Sequence, residues 1–149
     1  MDPADQTRGK PTTKVVIPSD LAAAKQSEEV ILDHVRRCGY SQDAAFAIKL
    51  AMEEAITNAI KHGNRNDPTK RITIGYAVSP QKTVINVADE GGGFRLGDVP
   101  DPTRDENLDC PTGRGIMLMR AYMNHVSYNR KGNEVTMVKV NEACPGAPA

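Results

Sequence analysis

Apolar residues recur along this chain with two different periods. Leu21, Ala24, Ile31, Leu32, Val35 and Cys38 share one face of a predicted helix. Ser19 or Asp20 can cap its start, and Gly39 stops it. A second, longer helix starts at Ser41 or Asp43 and ends near His62-Gly63-Asn64; its stretch AAFAIKLAMEEAITNAIKH is rich in good helix formers. After the turn Asn66-Asp67-Pro68 the period drops to two. Arg71 to Val78 and Thr83 to Ala88 alternate, joined by Ser79-Pro80-Gln81, which predicts an antiparallel hairpin. Lys14 to Ile17, ended by Pro18, reads as a short opening strand. Gly115 to Asn124 reads as a third helix. Val126 to Asn129 and Glu134 to Val140 read as two last strands around the turn Arg130-Lys131-Gly132-Asn133.

The predicted order is β-α-α-β-β-loop-α-β-β. A mostly antiparallel sheet with all helices on one face is a two-layer α/β sandwich of the α+β class. Residues 1–12 and 142–149 read as disordered tails around a domain at 13–141. Residues 91 to 113 are rich in Gly, Pro, Asp and Arg and show no period. An aperiodic stretch of that length inside a small domain is usually a lid or a binding loop.

Composition narrows the function. The 149 residues suggest one domain, and the formal net charge of zero offers no basic field for nucleic acid or an anionic membrane. No apolar run approaches a transmembrane span, and the polar N-terminus is not a signal peptide, so a cytoplasmic protein is expected. Cys38, Cys110 and Cys144 lie far apart, which suits reduced thiols and gives no zinc spacing. With no Trp, two Phe and four Tyr, the core must be mainly aliphatic.

The second helix carries Glu54, Asn58 and His62 at i, i+4 and i+8, which aligns them on one face. Such a stripe is either a solvated helix face or a set of groups with partners, since burying it bare is costly. The rest of the chain favours partners. Asp89 ends a strand directly before Gly91, Gly92 and Gly93, and Gly91 and Gly93 allow positive φ or a close backbone approach. Thr112-Gly113-Arg114-Gly115 then opens a helix, whose free N–H groups suit phosphate, with Arg114 as a permanent cation. Oxygen donors, an acceptor and an anion site together suit a nucleotide with a divalent metal. No G-x-x-x-x-G-K-[ST] occurs, so this is not a P-loop.

Three boxes carry a resemblance. They are Glu54-Ala55-Ile56-Thr57-Asn58-Ala59-Ile60-Lys61-His62, Asp89-Glu90-Gly91-Gly92-Gly93-Phe94 and Gly113-Arg114-Gly115-Ile116. In this order they resemble the GHKL-type ATPases of the Bergerat fold, which include DNA gyrase, histidine kinases and MutL-type repair proteins. The chain looks most like the small bacterial anti-sigma factors that are serine/threonine kinases. The resemblance implies ATP and Mg²⁺ as cofactors, Asn58 as the Mg²⁺ ligand, Glu54 as general base and Asp89 as acceptor for the adenine amino group. It implies nucleotide contacts from Asn58, His62, Asp89, Gly91, Gly93, Phe94, Gly113, Arg114, Gly115 and Ile116, with an ATP lid over about residues 95–113. His62 alternatively caps the helix C-terminus. Asn64 is expected to reach phosphate or solvent.

Length selects within the family. Gyrase- and MutL-type enzymes attach a second domain, and sensor kinases an upstream helical hairpin with a phosphoacceptor His; neither fits the 149 residues or the setting of His34. The resemblance then implies a STAS-type anti-anti-sigma protein as substrate and a sigma factor as alternative partner, in a protein whose relatives are often homodimers. The other readings are an ATP-binding module that sequesters a regulator without phosphorylating it, and a detached histidine-kinase-like domain acting in trans.

Overall fold

Asp20 and Ser41 cap the two long helices. In the computed structural model, which describes residues 11–91 and 119–142, Ala22 N donates to Asp20 Oδ1 (2.7 Å) and Ala44 N to Ser41 Oγ (3.0 Å). The helices are α1 (Leu21–Arg37) and α2 (Gln42–Asn58). α1 ends as its glycine requires. Gly39 has φ 84°, its N–H donates to Arg36 O, and Tyr40 N donates to Val35 O. This is a Schellman stop, and Tyr40 and Val35 are both buried beneath it.

The strands are β1 (Thr13–Pro18), β2 (Arg71–Val78), β3 (Lys82–Asp89), β4 (His125–Tyr128) and β5 (Glu134–Val140). They form one sheet in the order β1-β2-β3-β5-β4, and every neighbouring pair is antiparallel. This is the predicted α+β architecture. Pairing extends to Thr12, whose N–H reaches Tyr76 O. The tails beyond the described residues, and residues 115–118 of the predicted third helix, lie outside the description; residues 119–122 are helical.

Register builds the core. Ile17 pairs with Ile72, Ile74 with Val87, Ile85 with Met137 and Val87 with Val135. Against this aliphatic face pack Ile31, Leu32 and Val35 of α1 and Ile48, Met52 and Ile56 of α2. Burying each such side chain is worth about 1.5–3 kcal/mol. Ala45, Ala51 and Ala55 keep α2 slim where it lies in this core. The stripe on α1 begins one turn later than expected. Ala24 is buried, while Leu21 is 55% exposed.

α2 does not end as a regular helix. Ala59–Gly63 continue it as a π-helical turn, with Asn64 N donating to Ala59 O (2.7 Å). Arg65 and Asn66 follow with φ of 52° and 58°, which reverses the chain toward β2. The turn brings the C-terminal end of α2 against the C-terminal end of β3.

Candidate functional site

Glu54 and Asn58 stand one turn apart near the end of α2, both half-buried. Among the described residues Glu54 has no ion pair or hydrogen-bond partner. The Asn58 Nδ2 is buried and also lacks a partner. An unsatisfied buried amide costs about 1–3 kcal/mol, and such groups in folded proteins call for an explanation. The π turn then interrupts the stack expected from straight helical spacing. His62 lies on it and is exposed.

Asp89 ends β3 beside that turn. Its Oδ1 accepts from Gly91 N (2.8 Å), and its N–H donates to Asn133 O (2.9 Å). The carboxylate lies against the backbone of Gly63, where a Cβ would stand 2.1 Å from Asp89 Oδ2. A Cβ on Gly91 would stand 1.8 Å from Gly63 O. Gly91 therefore owes its place to close approach; among the described residues, positive φ at glycine occurs at Gly39 and Gly132 instead. Burial raises the Asp89 pKa above the ordinary carboxylate range, although the Gly91 N–H and Lys70 pull it down. The result is a half-desolvated acceptor held on a two-glycine cradle.

Other residues frame this acceptor. Asn133 Nδ2 reaches Gly91 O at 3.4 Å. Tyr128 of β4 is pushed up to about 12, first by burial; Arg120 draws it down and Asp89 raises it, so all three sit in one electrostatic neighbourhood. Asn64 is not the phosphate or solvent contact expected of it. It is fully buried and hydrogen-bonded to Ser19, Arg71 and Glu90. Sequence patterns missed Gly63, Asn133 and Tyr128. The one available signal was Gly63, a poor helix former directly after a run of good ones.

The expected contacts Gly93, Phe94, Gly113, Arg114, Gly115 and Ile116, with the expected lid, lie outside the described residues. Within them the fit to a nucleotide rests on the unpaired Asn58 Nδ2, a donor suited to a phosphate oxygen, and the Gly63–Gly91 cradle. The Asn58 carboxamide also offers a hard oxygen of the kind Mg²⁺ takes beside substrate phosphates and water. No helix among the described residues is long and apolar enough to cross a membrane.

Comparison with known proteins identifies the family. Residues 17–139 match the model of the histidine kinase-like ATPase domain. The serine-protein kinase RsbW of Listeria monocytogenes serovar 1/2a is 32% identical over 114 residues, 71% of this chain and 73% of the relative. The serine-protein kinase RsbW of Bacillus subtilis strain 168 is 32% identical over 110 residues, 69% of each chain. The crystal structure of the RsbU and RsbW domains of Rv1364c from Mycobacterium tuberculosis superposes with a TM-score of 0.56 at 16% identity, over 88% of this chain and 32% of that one. That likeness speaks for the fold. The chain belongs to the histidine kinase-like ATPase domain family and is similar there to the RsbW serine-protein kinases.

Proposed function

We propose that this protein serine kinase transfers the γ-phosphate of ATP to a STAS-type anti-anti-sigma protein and, as an anti-sigma factor, holds a sigma factor as its alternative partner. The observation that carries the site assignment is the buried Asn58 Nδ2, a donor left without a partner, one turn after Glu54 on the helix whose end packs against Asp89. In this reading Asp89 accepts a hydrogen bond from the adenine amino group. Asn58 would hold Mg²⁺, which when bound would offset charge on the phosphate oxygens. Glu54 takes the proton of the attacking hydroxyl, and Gly113, Arg114 and Gly115 hold the phosphates. The identity to RsbW kinases over about 70% of the chain supports the choice of a protein hydroxyl as acceptor.

The test has two parts. Pull-down from the native cytosol identifies bound proteins, and labelled γ-phosphate transfer is then assayed on them. A STAS protein that is labelled on Ser or Thr, with a sigma factor captured by the kinase as the labelled protein leaves, is the expected result. Tight binding of ATP and partner without transfer would leave a sequestering module.

A further inference from the structure

Asn64 is surrounded by protein on every side, at 0% exposure. Its Nδ2 donates to Arg71 O (3.1 Å) and Ser19 Oγ (3.3 Å), and its Oδ1 accepts from Glu90 N (2.9 Å). The orientation of the amide follows from its partners, because the Arg71 carbonyl can only accept and the Glu90 N–H can only donate. One side chain thus joins the segment before α1, the start of β2 and the residue after Asp89.

Its neighbours give this network a consequence. Gly63 precedes Asn64 and lies under the Asp89 carboxylate, and Glu90, held by Asn64, follows Asp89. The bond between residues 64 and 90 therefore sets how the π turn stands against the end of β3. The Glu90 carboxylate closes the same junction by accepting from Arg71 N. A change at that junction would move the Asp89 carboxylate, which lies against Gly63.

We infer that Asn64 is a positioning residue for base selection: by locking the π turn to the end of β3 it fixes the Asp89 carboxylate where it favours a purine carrying a 6-amino group. This rests on the reading of Asp89 as the adenine acceptor. A purely structural Asn64 would lower stability and leave base selection alone.

The experiment is calorimetric titration of ATP and of purine riboside triphosphate, which lacks only the 6-amino group. Wild type, Asn64→Leu and Ser19→Ala are compared by the ratio of the two affinities, from which any unfolded fraction cancels. Wild type is expected to prefer ATP by about tenfold or more, as for a hydrogen bond to a charged acceptor. Asn64→Leu, similar in size but without hydrogen bonds, brings the ratio below about threefold on the same scale. Ser19→Ala, which removes a structural arm only, keeps the wild-type ratio. Equal loss in both variants, or a full ratio in Asn64→Leu, overturns the inference while Asp89 stands. No preference in wild type removes Asp89 as the acceptor, and this inference with it. Should Asn64→Leu fail to fold, Asn64→Ser, too short to bridge Arg71 O and Glu90 N, is compared by the same ratio. A ratio below about threefold supports the positioning role, and the wild-type ratio overturns it.

Discussion

The Asp89 carboxylate rests on the backbone of Gly63, so close that a Cβ at position 63 would fall 2.3 Å from the Asp89 Cγ. The strand cannot retreat easily, because Asp89 N is bonded to Asn133 O at 2.9 Å. A branched side chain at 63 must then turn the carboxylate away. Gly63→Val is expected to weaken ATP binding by about tenfold or more, the worth of a charge-assisted hydrogen bond. Calorimetry checks this. Affinity equal to wild type would place the adenine away from Asp89.

Asn58 should trade stability against binding. Its Nδ2 is buried without a partner, so the ligand-free protein bears a desolvation cost there. Asn58→Ala removes that cost and introduces the best helix former at the end of α2. The ligand-free variant is expected to gain roughly 1 kcal/mol by denaturant unfolding. The same variant should lose Mg²⁺-dependent ATP binding, since Mg²⁺ tolerates poor coordination badly. A variant that is both destabilised and fully competent for binding would show that the amide serves the fold.

The fold was largely legible in the sequence because its signals are local. Asp20, Ser41 and Gly39 announced helix ends through cap chemistry, and the alternation in Arg71–Val78 announced a half-buried strand. The Glu54–Asn58 pair was legible for the same reason, since helical spacing fixes it. What depends on two distant segments meeting was not. Straight helical spacing stacks His62 under Asn58, and nothing in AIKHG announces a π turn. Asn64 reads as a polar residue for solvent until Ser19, Arg71 and Glu90 surround it. Gly91 reads as a flexible turn until Gly63 O lies where its side chain would be.

Glu54 and Glu53 are adjacent carboxylates that should differ sharply in function. They point about 100° apart around the helix. Glu53 acts electrostatically on Glu28 of α1, which places it toward the seam between α1 and α2. Glu54 lies one turn before Asn58 with no partner among the described residues. Proton transfer to a placed carboxylate typically contributes roughly 10²–10⁴-fold. Glu54→Ala is expected to bind ATP and lose phosphotransfer by about that factor, while Glu53→Ala keeps it. Labelled transfer to the partner found by pull-down checks both. Transfer undiminished in Glu54→Ala would move the base elsewhere and leave the kinase standing.

Glu28 makes stability depend on pH in an uncommon direction. It is 8% exposed on the inner face of α1, and burial first, then the Glu53 charge, raise its pKa from 4.5 to about 7. Glu29 adds to the rise, while Lys49 across the seam and Lys25 on α1 oppose it. Between these two values the folded protein keeps a proton that the unfolded chain releases. The contribution of neutral Glu28 is therefore complete below about pH 4.5 and is lost as the pH rises through about 7. Asp89, also raised by burial, acts in the same direction. Asp67 acts in the opposite one, because Thr69 holds its carboxyl below the ordinary 3.8 and that support fades in stronger acid. Stability should then peak in mild acid and decline toward neutrality. Glu28→Gln is expected to flatten that decline and to raise stability at pH 7 by about 1–3 kcal/mol, the upper value being reached only if water stays away from the carboxylate. Urea unfolding at pH 5, 6 and 7 measures it. A wild-type profile that rises from pH 5 to 7, or a Glu28→Gln profile parallel to wild type, would show that Glu28 is ionised and solvated in the folded protein.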